Sequence, residues 1–141
     1  MEGLQKLVGA YLVLVAVAVA AFFIINPFLT DTIEVGSVWD VLNILMVVAL
    51  GLGLLFACRA KRRVEAEQPG DGVSRGYLEA NVIFFSVAAV TVLFLHNWFS
   101  LLADGRDSLD GNHQAWVIWA AVDTALPIVL GVLGCRLWRG R

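Results

Sequence analysis

Charge is scarce in this chain. Only 16% of its 141 residues are Asp, Glu, Lys or Arg, against about 25% in an ordinary soluble domain. Cysteine is nearly absent as well. Cys58 and Cys135 are the two present, and they are far apart. That excludes a disulfide framework and a Cys-x-x-Cys redox motif. Histidine is limited to His96 and His113. No nucleophile–base pair, glycine-rich phosphate loop or nucleotide-binding motif is visible. Lysine and arginine are missing from the loop at 30–37, and the loop near 103–114 carries only Arg106. A basic surface for nucleic acid is therefore not expected.

Apolar sequence fills the space that charge leaves. The chain is 60% hydrophobic, with a mean hydropathy of +0.80. So small a domain leaves much of its surface exposed and cannot hide that excess in a core, and a bilayer is the natural solvent for it. Four runs are long enough to cross a hydrocarbon layer about 30 Å thick at about 1.5 Å per residue. They predict helices at about 7–26, 38–58, 77–102 and 115–137. The expected fold is an all-α integral membrane protein, a single four-helix transmembrane domain over 1–141. Ala18-Val19-Ala20 resembles the small-residue cleavage site of a leader. The apolar run continues past it to Ile25, which favours a retained span. Pro27 predicts that the first helix ends just before it, and Pro69-Gly70-Asp71-Gly72 predicts a turn.

Orientation follows from the basic residues. Nine of the ten Lys and Arg lie at Lys6, between Arg59 and Arg75, or from Arg136 onward, all on one side of a four-span chain. Short cytoplasmic segments carry that excess. Both termini are thus expected inside, with acidic loops outside, and the expected setting is a bacterial cytoplasmic membrane. Trp39, Trp98, Trp116 and Trp119 fall near the outer ends and Trp138 near the inner one, as aromatic belts would. Small and polar residues suggest the helix faces that meet in the bundle. On the second helix these are Gly36, Asp40, Asn43, Val47, Gly51, Leu54 and Cys58. On the fourth they are Ala120, Asp123, Thr124, Pro127, Gly131 and Gly134.

The candidate site is an intramembrane polar group in the outer half: Asp123, His96, Asn97, Asn43 and Asp40. Asp123 is the one acid deep within an apolar run. An ionisable residue there is costly and marks a functional hypothesis. Measured along the helices, His96 and Asp123 lie at similar depths, roughly 9 and 13 Å from the outer ends. A His96–Asp123 contact is expected, either handling a proton or ion or only fixing helix register. Pro127 removes the donor for the Asp123 carbonyl and predicts a local kink. The outer loop places Asp104, Asp107, Asp110 and His113 at three-residue spacing. Oxygen-rich loops can hold hard cations, but the EF-hand spacing is missing, and Asp, Gly, Asn and Ser are also what turns require. A metal there is left open.

Arg59, Lys61, Arg62 and Arg63 form a lipid-facing basic cluster that can attract anionic lipid besides setting topology. Cys58 and Cys135 lie at inner ends, where thiols stay reduced. The chain does not resemble small multidrug-resistance transporters, whose first helix carries a glutamate, nor bundles with redox cysteine pairs or cysteine-bearing outer loops. The expected function is an accessory or structural subunit packing in a larger membrane complex, as a homo- or hetero-oligomer. The alternatives are a homo-oligomeric proton- or ion-coupled transporter or channel using Asp123 and His96, and a metal-dependent membrane enzyme or subunit. No cofactor is expected, and the lipid bilayer is the first partner.

Overall fold

A computed structural model describes residues 2–67 and 72–140. Its architecture is all-helical, with four long helices: α1 (Glu2–Ile25), α2 (Val35–Glu67), α3 (Arg75–Asp104) and α4 (His113–Trp138). Each is long and apolar enough to cross a membrane. The turn expected at Pro69–Gly72 lies, apart from Gly72, outside the described residues.

Local chemistry sets the helix ends. α1 stops at Ile25 and passes into a short 3-10 turn, Asn26–Phe28, that contains Pro27. The Asn26 side-chain amide donates to the Phe23 carbonyl (3.1 Å), one of the acceptors left open at the helix end. Ser74 caps α3 by accepting from the Tyr77 N–H, and Asn112 caps α4 by accepting from the Ala115 N–H. Gly105 ends α3 at φ +67°, a backbone conformation that favours glycine. α4 runs without interruption through Pro127.

The helices form a four-membered ring. α1 packs most extensively on α4, α2 packs on α3, and α3 on α4, while α1 meets α2 over a smaller area. α2 and α4 also touch across the middle. The core is a single apolar cluster, with Leu12, Val19, Met46, Leu50, Val87, Phe94, Leu126 and Leu130 almost fully enclosed. Two side chains tie helices together beside it. The Tyr11 hydroxyl donates to the Leu45 carbonyl of α2 (2.9 Å), and the Asn97 amide donates to the Ala115 carbonyl of α4 (3.1 Å).

The inward faces differ from the expected small-residue stripes. On α2 the buried residues are Leu42, Asn43, Met46, Ala49, Leu50, Gly53, Phe56 and Ala57. Asn43 faces inward as expected, but Gly51 and Asp40 point outward. On α4, Asp123 and Gly134 face inward, whereas Ala120 and Thr124 are exposed. Bulk decides these faces: large side chains fill the space between helices, and a small residue marks a contact only where two backbones close on it. Trp119 is likewise interior, set edge-on to Phe94 at 5.9 Å, and does not belong to an outer belt.

The long helix α2 is longer than a hydrocarbon layer is thick. Its 33 residues extend about 50 Å. The segment beyond Cys58 carries i,i+4 pairs, Lys61 with Glu65 and Arg63 with Glu67. Glu79 of α3 receives both Arg75 of the same helix (2.9 Å) and Arg136 of α4 (3.5 Å), joining one end of α3 to α4.

Candidate functional site

At the end that holds the acidic loops, α3 and α4 frame a polar cleft of about 300 Å³. His96, Asn97, Ser100, Asp104, Asn112 and Gln114 line it, with Trp119 at its base. Several polar groups are committed to the fold. Ser100 donates to the His96 carbonyl, Ser108 to the Gly105 carbonyl, and Asn97 to Ala115. No side-chain hydrogen bond commits His96, Asp104 or Gln114 among the described residues, and all three line the cleft.

His96 is exposed, and no hydrogen bond or ion pair joins it to Asp123 among the described residues. The expected contact is not formed. Asn97 bonds to Ala115 and Phe94 packs on Trp119, so in this antiparallel pair Asp123 lies level with about Val90, roughly 10 Å along the helix from His96. One residue is also about 100° around a helix. Asn97, on the stripe of Val87, Val90 and Phe94, takes the inward position next to His96.

Asp123 and Asn43 lie in the core, 6% and 3% exposed. One carboxylate oxygen of Asp123 and the amide oxygen of Asn43 have no hydrogen-bond partner. Both residues begin buried stripes of the same spacing. Asn43 is followed by Met46, Leu50, Gly53 and Ala57, and Asp123 by Leu126, Leu130, Leu133 and Leu137. Gly53 sits against Leu130 and Leu133. That register between two helices running the same way brings Asn43 to about the level of residues 120–123 on α4. Two unpartnered oxygens therefore enter one layer of the bundle from opposite sides.

Asp40 stands apart from this layer. Its carboxylate accepts from Arg106 at 2.8 Å, and Arg106 also reaches Glu34 at 3.6 Å. The one basic residue of the acidic loops thus clamps the α3–α4 connection to the start of α2. The sequence carried a signal for this in its lone basic residue facing two acidic segments. The other loop acids do not converge. Among the described residues, no group of three or more His, Cys, Asp or Glu is placed to hold a metal ion. Cys58 and Cys135 are both free.

The opposite end carries the basic cluster, which the structure divides. Lys61 turns toward α3, with its ammonium 5.7 Å from the Phe84 ring. Arg59 and Arg63 face a second cleft, of about 380 Å³, where all four helices converge. Arg136 of α4 and Gln5 of α1 join them there, and Arg62 does not line it. Sequence reasoning missed Arg136 and Gln5 because only the ring closure of α1 on α4 brings them beside α2. No family model matches this chain, nor does any curated protein or solved structure.

Proposed function

We propose that this chain is a small membrane subunit whose four-span bundle packs against other subunits of a larger membrane complex. The carrying observation is the uneven coverage of its helices. Only 22% of the apolar window of α3 is buried within the chain, against 39%, 44% and 39% for α1, α2 and α4. Val82, Phe85 and Val92 leave a broad apolar face on α3. Helices associate in lipid through side-chain packing, and the least covered helix has the most surface to offer. In this reading both termini are cytoplasmic, the membrane is a bacterial cytoplasmic membrane, and the partner is a second copy or a different membrane subunit.

Photocrosslinking tests it. A photoreactive residue at Val82 or Val92 should yield protein adducts in cells. The same residue at Val17 of α1 or Val48 of α2, also exposed, should yield lipid adducts. Equal protein crosslinking from all four positions, or none from any, would overturn the assignment of α3 as the packing face. Mass spectrometry of the adducts then identifies the partner.

A second reading rests on a separate observation. The unpartnered oxygens of Asn43 and Asp123 suit a protein that binds a proton or ion within the bundle. Flux into proteoliposomes that is lost in Asp123→Asn would favour that transporter or channel over a packing subunit.

A further inference from the structure

The cleft at the basic end has the composition of a phospholipid site. Its floor and walls are apolar, with Phe56 and Ala60 from α2, Ile83 from α3 and Leu133 from α4. Its polar groups are Gln5, Arg59, Arg63 and Arg136. We propose that it binds one anionic phospholipid, with the phosphate held among the three arginines and an acyl chain against the apolar wall. This inference does not rest on the partner reading above.

Three observations converge on that occupant. The first is charge. Arg59 has no carboxylate partner among the described residues and lies 5.6 Å from the centre of the Phe56 ring. Among the described residues, Arg63 and Arg136 each keep a single long ion pair, at 3.7 Å to Glu67 and 3.5 Å to Glu79. Guanidinium groups bind phosphate through paired N–H donors, and these three retain donors for it. The second is position. The cleft opens where α2 leaves the apolar part of the bundle, the depth at which a phosphate sits while its acyl chains run along the helices. The third is helix geometry. Arg59 and Arg63 are four residues apart, as are Phe56 and Ala60. One face of α2 thus carries both the charged and the apolar halves of the site. Arg62, on a different face, adds charge to the surface without entering the cleft.

Native mass spectrometry of the purified protein, supplied with phosphatidylglycerol or phosphatidylcholine, tests the proposal. Wild-type protein should retain one phosphatidylglycerol in preference to phosphatidylcholine. Arg59→Gln and Arg63→Gln should each weaken retention about fivefold, the effect of one basic residue near a lipid headgroup. Arg62→Gln should change it little. Ala60→Trp, which fills the cleft and leaves every charge in place, should abolish the one-to-one adduct. Equal retention of the two lipids would overturn the proposal. So would an Arg62→Gln loss as large as that of Arg59→Gln, since a diffuse basic surface would then account for the binding. If inorganic phosphate displaces the lipid at comparable concentration, the site holds a free anion and the proposal fails. Should Ala60→Trp misfold by circular dichroism, the comparison of Arg59→Gln with Arg62→Gln decides, because both residues are exposed on the helix.

Discussion

Gly9 of α1 and Gly134 of α4 occupy one another's missing side-chain space. A Cβ on Gly9 would lie 2.7 Å from the Gly134 carbonyl oxygen, and a Cβ on Gly134 would lie 2.7 Å from the Gly9 carbonyl oxygen. Both obstacles are backbone atoms, so no rotamer change can relieve them. Gly9→Ala or Gly134→Ala must push the two helices apart along their most extensive contact. Each should destabilise by about 1–3 kcal/mol, the usual cost of overpacking. Gly51→Ala, with nothing within 4 Å of the new methyl, should be neutral or slightly stabilising. Thermal or denaturant unfolding in a mild detergent reads the difference. Equal effects at Gly9 and Gly51 would refute a close α1–α4 crossing.

A related contrast holds for Gly36. A methyl group there would overlap the Arg106 guanidinium, which is the mobile end of a long side chain. Gly36→Ala should displace Arg106 and weaken its pairing with Asp40, at a cost of about 0.2–1 kcal/mol for an exposed ion pair. In an Arg106→Ala background the same change should cost nothing. A double-mutant cycle measures that dependence, and high salt should shrink it. Additive losses would mean that Arg106 does not hold the α2 start.

These glycines show how far the sequence could be read. Run length, charge gaps and Pro27 are enough to find four helices, because apolar length and helix breakers are local properties. But α2 continues to Glu67, nine residues past the expected end at 58, through a charged stretch that an apolar run does not include. The helix faces were harder. Gly134 and Asn43 were assigned inward on the strength of their size and polarity, and they are inward. Gly51, Ala120 and Thr124 were assigned inward by the same rule, and they face out. The rule fails because lipid and protein are equally apolar, so smallness marks an interface only where another backbone approaches. Gly9 drew no attention in sequence because its significance lies in Gly134, far along the chain. His96 shows the same limit in register and rotation: distances counted from the run ends misplace its level against Asp123, and adjacent residues such as His96 and Asn97 can differ completely in burial.

The proposed orientation predicts an accessibility pattern. Single cysteines at Ser37 and Asp110, both exposed, should react with an impermeant thiol reagent added outside intact cells. A cysteine at Val73, 64% exposed, should react only after the membrane is permeabilised. The prediction rests on the basic asymmetry. Labelling of Val73 with protection of Ser37 would invert the protein.

The buried layer of Asn43 and Asp123 gives the sharpest test of whether this bundle only packs. An enclosed polar atom without a partner costs about 1–3 kcal/mol, and neither oxygen here has one. Asn43→Leu and Asp123→Leu keep the branched heavy-atom outline, add the bulk of the methyl hydrogens, and remove that cost. If the layer is only structural, each should raise the unfolding midpoint, and complex assembly in cells should be unchanged. His96→Ala should leave stability nearly unaffected, and its effect should add to that of Asp123→Leu, because His96 is exposed and the two residues share no bond. If the layer binds a proton or ion, the leucine variants should still be stabilised, but flux in proteoliposomes should vanish. A gain in stability bought with a loss of flux would explain why two polar oxygens are kept where apolar atoms would pack better. Destabilisation by both leucine substitutions would point to a third result. The two side chains would then be satisfied by water or by each other in the membrane, and the layer would be a structural polar contact between α2 and α4.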